Sequence, residues 1–411
     1  MKICLLTYEY PRSTADAIVS GEVKNSYYLA RGLVAVGHEI TVVSVPFLTR
    51  SPRSTALRSG SDPPIYDVPE GRLRAVARYA LRTRNVERFM TGHFADRPLD
   101  VVHAESPALA AGALGARRRH GLAAATPIVT TGHGTYLPEV TGDRVTRTVR
   151  EGLREASARL VLRLDRRAFG ESDAVIAASR FQKTEMLALY QVPAGKIEVI
   201  HNGVDLGFYR PDGPKSTLAG RRVEPNDRVV LFVGRLVPKK GLQHLIAAFP
   251  RILEAIPDAK CVVVGGSRIF DTFGPKLREM ADASGLAERF VWLEDVPETE
   301  MPALYRRADV AAFPSINYES LPTVTLEAMA CGVPVIATNC WGTPEALGEE
   351  HPGLVTQGAP AELAHAVVDM LSRAEIAGAV RRDQLERVGA FSLKTAVARH
   401  EELYERVAAK R

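Results

Sequence analysis

No run of apolar residues in this chain approaches the ~20 that a helix needs to cross a bilayer, which argues against an integral membrane protein. Cysteine is scarce. The four present, Cys4, Cys261, Cys331 and Cys340, stand far apart or on apparent strands and helix ends, with no pair at metal-ligand spacing. They read as buried thiols of a reducing compartment. No G-x-G-x-x-G follows the first strand, where TYEYPRSTADAIVSG stands instead, and this removes the main signature of a dinucleotide oxidoreductase. No Asp-x-Asp pair occurs, so the chain lacks the common carboxylate clamp for a metal-bound diphosphate. The opening, MKICLLTYEYPR, has too short an apolar run for a signal peptide, and the expected location is the cytoplasm.

What is present suits a folded protein of two domains. A length of 411 residues exceeds one ordinary core, and 46% hydrophobic with 25% charged residues leaves little room for long disordered tails. The net charge of +5 does not by itself imply nucleic acid, but its distribution is uneven. Arginines crowd residues 72–88, 117–119 and 144–167, all in the first half.

The apolar runs KICLLT and ITVVSV flank a helical pattern from Val23 to Val36, with Gly37 as its stop, which makes a β-α-β opening. LDVVHAE, TPIVTTGH, SDAVIAAS and KIEVIHN continue the alternation. Between Asp205 and Asp227 the pattern lapses into a stretch rich in Gly, Pro and charge, and a second series then begins: RVVLFVGRL, AKCVVVGGS, RFVWLED, ADVAAFPS, VPVIAT and GLVTQ. The expected fold class is α/β, with two doubly wound Rossmann-like domains facing across a cleft. The expected boundaries are 1–207 for the first domain and 208–391 for the second. Residues 392–411 form a last helix, with Ser392 as its N-cap and Val397, Tyr404 and Val407 on the face that must dock.

Two segments carry chemistry. In PSINYESLPTVTLEAMACGVPVIAT, Glu319 and Glu327 stand eight positions apart. Pro322 between them is favoured in a first helical turn, so Glu319 belongs to the loop and Glu327 to the helix, which should stop at Gly332. The start of that helix, near Ser320 to Thr323, offers unpaired N–H groups and a dipole that favours an anion such as a diphosphate. The same residues are also consistent with a solvated loop glutamate and an exposed helix glutamate. The second segment, VGRLVPKKG, puts Arg235 and Lys240 directly after a strand, where such sheets bind ligands. A guanidinium fork and an ammonium there can neutralise a leaving diphosphate, though each could also be surface charge. His133 ends the strand PIVTTGH and is either functional or a hydrogen-bonded structural residue. Asn202 and Asp205 in HNGVD read as a structural turn.

Taken together, GRLVPKKG, ESLPTVTLEAMACGVPVIAT, VIHNGVD, LYRRADVAAFPS and LARGLVAVGHEITVVS resemble the retaining glycosyltransferases of the GT-B fold, family 4, from Lys2 to about Tyr404. The resemblance implies that Glu327 holds the donor ribose hydroxyls, that Arg235 and Lys240, with Gly234 of the same motif, bind its diphosphate, and that Glu319 contacts the sugar ring. The backbone of Ser320, Leu321, Pro322 and Thr323 would bind sugar and phosphate. Gly21 matches a glycine loop near the phosphates, and His133 matches an active-site histidine of the acceptor domain. Two departures stand out: the family's glycine pair is here Ser20-Gly21, and its E-G-F-G is Glu319-Ser320-Leu321-Pro322.

The resemblance implies an enzyme that moves a hexosyl group from a nucleotide diphosphate sugar, uridine before guanosine, to a glycan, lipid-linked or small-molecule acceptor. No cofactor, metal or nucleic-acid partner is expected. Departing phosphate charge would be met by Arg235, Lys240 and the helix start. A nucleotide-sugar-binding protein without turnover, or an epimerase or phosphorylase of the same fold, stays open as an alternative. The arginine-rich segments admit two readings, a solvated surface or peripheral contact with anionic lipid headgroups at the inner membrane face. Acceptor choice is expected in the loops 46–70 and 134–146.

Overall fold

The computed structural model describes residues 1–8, 10, 21–45, 65–67, 75–133, 149–218, 220–266 and 273–410. The described residues pack as two units, one drawn from Met1–Pro11, Glu22–His201 and Lys394–Arg411, the other from Gly21 and Asn202–Leu393. Ser20, the loop 134–146 and all of 46–70 except 65–67 lie outside the described residues, as do Arg72, Arg74, Arg144 and Arg147.

The first unit alternates strand and helix as its apolar periodicity requires: β1 (Lys2–Tyr8), α1 (Gly21–Ala35), β2 (Glu39–Val45), β3 (Ile65–Asp67), α2 (Ala75–Phe94), β4 (Val101–Ala104), α3 (Pro107–Arg118), β5 (Ile128–Gly132), α4 (Val149–Glu171), β6 (Ala174–Ala177), α5 (Arg180–Glu185) and β7 (Ile197–Val199). The seven strands are all parallel, in the order β3-β2-β1-β4-β5-β6-β7. Parallel strands need helical crossovers on both faces, so runs such as VVHA and AVIA are buried at every position. Gly37 adopts φ +96°, the left-handed conformation that ends α1. The direction of crossover reverses between β1 and β4, which are neighbours with Leu6 opposite Ala104. That switch point is where side chains from two diverging loops collect.

The second unit repeats the plan with β8 (Arg228–Val233), α6 (Leu242–Ala255), β9 (Ala259–Val264), α7 (Gly274–Ala283), β10 (Phe290–Leu293), α8 (Met301–Arg307), β11 (Val310–Phe313), α9 (Thr323–Ala330), β12 (Val335–Thr338), α10 (Thr343–Leu347), β13 (Leu354–Val355), α11 (Pro360–Ser372) and α12 (Ala374–Arg387). Six parallel strands run in the order β10-β9-β8-β11-β12-β13. Phe232, Phe249, Val263, Phe290 and Ile336 belong to one buried core, with the Phe249 and Phe290 rings edge to face at 4.9 Å. The switch point here lies between β8 and β11, where Val230 faces Val310.

The chain passes from one unit to the other after His201, six residues before the boundary expected from composition. The segment that looked like a linker is already committed to the second unit. The Asn202 amide donates to the Leu321 carbonyl at 3.0 Å, the Tyr209 hydroxyl donates to Glu298 at 2.5 Å, and Arg306 reaches the Pro214 carbonyl at 2.8 Å. Asp205 accepts from the backbone N–H of Gly207 at 2.9 Å, closing the turn its residue type suggested.

The last helix, α13 (Leu393–Ala408), packs in the first unit. Its Val397, Tyr404 and Val407 are buried. Arg399 and Arg406 converge on Glu198 at 2.7 and 2.9 Å, Glu401 pairs with His38 at 2.8 Å, and the Tyr404 hydroxyl meets His103 Nδ1 at 2.6 Å.

Candidate active site

The loops that follow β8 and β11, at the switch point of the second unit, interlock. The Ile316 N–H donates to the Lys239 carbonyl at 2.8 Å, joining the GRLVPKKG loop to the glutamate-bearing loop. Gly241 stands at the closest approach with φ +76°, and a Cβ there would fall 1.7 Å from the Pro314 carbonyl oxygen. Only glycine satisfies both conditions.

This docking brings Lys240 and Glu319 together, Nζ to Oε1 at 2.5 Å, both partly buried. Ser315 Oγ donates to the same carboxylate oxygen at 3.2 Å. Arg235 lies on the same loop and, among the described residues, has no side-chain partner. Lys239 is the residue that sequence reasoning passed over. Burial lowers its ammonium to about 8, and the neighbouring charges of Arg235 and Lys240 push the same way against Glu319. Three cations and one carboxylate therefore surround this loop, a net positive charge aimed at an anionic ligand.

The segment from Glu319 to Thr323 is held by its backbone. Asn202 binds the Leu321 carbonyl, the Gly342 N–H donates to the Glu319 carbonyl at 3.1 Å, and a Cβ on Gly342 would lie 1.7 Å from the Ser320 carbonyl oxygen. The Thr338 hydroxyl fixes the Ser315 carbonyl at 2.7 Å. Pro322 is the N-cap of α9 with φ −72°, one position ahead of the first helical turn where its residue type is favoured. Leu321 and Pro322 are both buried, so this loop presents backbone rather than these two side chains. Ser320 and Thr323 are partly exposed. Thr325, one turn further, is fully buried, and its hydroxyl has no partner among the described residues. It lines a small pocket with Lys240, Ser315, Glu319 and Pro322. The helix ends before Gly332, at φ +68°.

Glu327 is not an exposed helix residue, since only 1% of its surface is accessible. Its Oε2 accepts a hydrogen bond from the Tyr305 hydroxyl at 2.9 Å, and the Tyr305 ring stands edge-on to Tyr209, whose hydroxyl serves buried Glu298. Burial and then the charge of Glu327 raise the Tyr305 phenol well above its usual range, so it stays a donor. No sequence signal marked Tyr305, Tyr209 or Glu298, because each is recognisable only by its partner.

Gly21 groups with the second unit, where a Cβ on it would stand 3.1 Å from Thr323 Oγ1 at the start of α9, while His133 belongs to the first. Gly21 opens α1 at its first residue. His133 follows β5, and its Nε2 is bound to Glu105 Oε2. Glu105, the residue after β4, is fully buried and was not singled out by sequence. Burial works to raise its carboxyl, but His103 and His133 outweigh that and hold it below the usual carboxylate range. Burial works to lower His133, yet the charge and hydrogen bond of Glu105, with Glu22 of α1 behind them, hold it above the ordinary histidine value.

Among the described residues no group of three or more His, Cys, Asp and Glu side chains is arranged to hold a metal ion, and no helix is long and apolar enough to cross a membrane.

A parallel sheet with a cationic loop and a helix start at its switch point, preceded by a second sheet of the same kind, defines a protein of two doubly wound α/β units with a loop suited to an anion. Comparison with known proteins makes the class specific. Residues 20–208 match the family described as Glycosyltransferase Family 4, and residues 218–384 match that described as Glycosyl transferases group 1. The chain belongs to the family 4 glycosyltransferases. Over 223 residues it is 32% identical to a D-inositol 3-phosphate glycosyltransferase of Segniliparus rotundus, covering 54% of this chain and 49% of that one. It is 34% identical over 215 residues to a GDP-mannose-dependent alpha-(1-6)-phosphatidylinositol monomannoside mannosyltransferase of Mycolicibacterium smegmatis, covering 50% and 55%. The chain thus spans about half the length of these curated relatives. The sucrose-phosphate synthase of Thermosynechococcus elongatus shares the fold over 100% of both chains, with a TM-score of 0.80 at 21% identity.

Proposed function

We propose that this glycosyltransferase moves a hexosyl group from a nucleoside diphosphate sugar to a glycan, lipid-linked or small-molecule acceptor with retention of configuration and without a metal. The observation that carries this is the cationic loop of Arg235, Lys239 and Lys240 docked beside the start of α9. Glycosyl transfer places positive charge on the sugar and negative charge on the departing phosphate. Fixed cations and backbone N–H groups stabilise that departing charge with no reorganisation at the moment of bond cleavage.

In this scheme Arg235 and Lys240 bind the diphosphate, aided by the backbone at Gly234 and at Ser320 to Thr323. Glu319 meets the sugar hydroxyls, and Glu327, held by Tyr305, meets the ribose. Gly21 lets backbone approach the phosphates, and His133 serves the acceptor domain. The bond from the anomeric carbon to the phosphate oxygen breaks, and the acceptor oxygen attacks from the same face. The acceptor proton passes to the departing diphosphate, so the products are a glycoside and a nucleoside diphosphate.

A uridine donor is the first to test, and a guanosine donor, named in the description of the mannosyltransferase relative, is the second. Thermal shift with a panel of nucleotide sugars, followed by product analysis, decides the matter. Donor binding should raise Tm with occupancy, and transfer should follow for the stabilising donor. Absence of both for every nucleotide sugar would refute the proposal. Binding without turnover would instead favour a nucleotide-sugar-binding protein.

Peripheral contact with anionic lipid is a second proposal. It is supported by exposed Arg159, Leu160 and Arg163 along α4, an apolar side chain flanked by cations.

A further inference from the structure

The first unit contains a buried line of ionisable side chains that the transfer scheme leaves unused. His103 on β4 and Glu105 just beyond it are both fully buried. The His103 Nε2 lies 2.7 Å from the Thr131 hydroxyl of β5 and 4.0 Å from Glu105 Oε1, while its Nδ1 meets the Tyr404 hydroxyl of α13. His400, one turn before Tyr404, donates its Nδ1–H to the Ala396 carbonyl, 2.7 Å away, and its ring centroid is 5.6 Å from that of His103. At the other end Glu105 Oε2 holds His133 Nε2.

We propose that Glu105 is the positioning residue for His133: its buried carboxylate takes the Nε2–H, fixes the ring, and leaves Nδ1 as the one ring nitrogen that meets a substrate. The proposal rests on His133 belonging to the active site and adds how it is presented. An ionised carboxylate only accepts, so Nε2 must carry the proton. The alternative, a neutral ring with its proton on Nδ1, would turn a lone pair toward a buried anion.

Every group facing this pair bears on its charge. Glu105 and Glu22 favour the imidazolium, and burial opposes it. His103 is held down to about 4, first by burial, with His400 and His133 adding to it against Glu105. His400 is likewise lowered by burial. With these two neutral, His133 is the cation that faces Glu105. The assigned task is therefore donation of an Nδ1–H to an oxygen that gains negative charge or to an acceptor hydroxyl, rather than removal of a proton. His103 gives its Nε2–H to the Thr131 hydroxyl while Nδ1 receives the Tyr404 O–H, so it stands 4.0 Å from Glu105 Oε1 without a hydrogen bond to it.

The test is a nitrogen-resolved NMR titration of His133 in the intact protein, beside the pH profile of transfer, for wild type, Glu105→Gln and Glu105→Asp. In wild type Nε2 should stay protonated throughout, with a midpoint above the ordinary ~6.5 of histidine. Glu105→Gln keeps an acceptor but removes the charge, so the midpoint should fall by about one unit or more, and the alkaline limb of the activity profile should move with it. kcat should fall at least about tenfold while KM for the donor stays within about twofold, and Glu105→Asp should restore part of the loss. A packing role alone would lower Tm and leave the midpoint in place. A wild-type His133 unprotonated at Nε2, or a midpoint unmoved in Glu105→Gln, overturns the proposal, and the wild-type spectrum decides even if the variant fails to fold. If no nucleotide sugar is turned over, the transferase assignment fails, while the titration still judges Glu105.

Discussion

Lys240 and Glu319 form an ion pair, with Nζ 2.5 Å from Oε1, across two loops that leave neighbouring strands. The lysine proposed to neutralise a diphosphate is thus matched with the carboxylate proposed to contact the sugar. In the proposed scheme phosphate oxygens would take over from that partner, and the pair keeps a partly buried cation in position without leaving it unpaired.

Lys240→Ala should remove most leaving-group stabilisation. Losing one preorganised charge of this type costs roughly 100-fold or more in turnover, with the fold retained. Steady-state kinetics with circular dichroism checks this, and near-normal transfer by a folded variant contradicts the role given to Lys240.

Lys239 predicts a pH dependence of donor affinity. Its ammonium is lowered to about 8, so its charge, and with it part of the attraction for a diphosphate, is lost as pH rises through that value. Calorimetric titration between pH 6.5 and 9.5 should show weakening that Lys239→Met flattens. For stability the sign is opposite. The unfolded lysine, near its ordinary value of 10.5, holds its proton where the folded one has released it, so this residue's contribution to stability rises from pH 8 toward 10.

Tyr305→Phe leaves the buried Glu327 without the hydroxyl that serves its Oε2. Losing a hydrogen bond to a buried carboxylate costs about 1.5–3 kcal/mol, so Tm should fall. Donor affinity should fall with it in the binding titration if the carboxylate orients the ribose, while an unchanged affinity would confine Tyr305 to stability.

Gly342→Ala places a Cβ 1.7 Å from the Ser320 carbonyl oxygen, a contact no rotamer relieves. The loop from Glu319 to Pro322 must shift, and donor binding should weaken severely at modest cost to Tm. Gly389→Ala, with nothing within 4 Å of the added carbon, serves as the control.

Co-sedimentation with anionic liposomes tests the peripheral membrane proposal. Adsorption should appear at low salt and fade at moderate salt as screening shortens to about 8 Å. Arg159→Glu with Arg163→Glu should abolish it, and absence of adsorption at low salt would leave a solvated surface.

Both sheets, their strands and the loop position of Glu319 were legible in the sequence, because apolar runs of five or six residues between helical patterns leave parallel strands as the economical solution. Pro322 and Gly332 marked the two ends of α9 through backbone chemistry that acts locally. The unreadable parts are pairings over long separations. Tyr305 with Glu327, Asn202 with Leu321, and Glu105 with His133 couple residues that no periodicity links. Lys239 was overlooked beside Lys240, since two adjacent lysines look alike until burial and neighbouring charge separate them. Packing divides the chain after His201 rather than at 207, because Asn202 and Tyr209 already serve the second unit through partners far along the sequence.

Helix α13 supplies partners for His38, His103 and Glu198 from a segment made after the whole of the second unit. On the ribosome, then, the earlier-made portion of the first unit waits with an uncovered face and a buried histidine lacking its tyrosine while some two hundred residues are still being added. Its folding is closed by α13, so nascent-chain protection of this unit should rise late and in one step, rather than in the order of synthesis usual for consecutive domains.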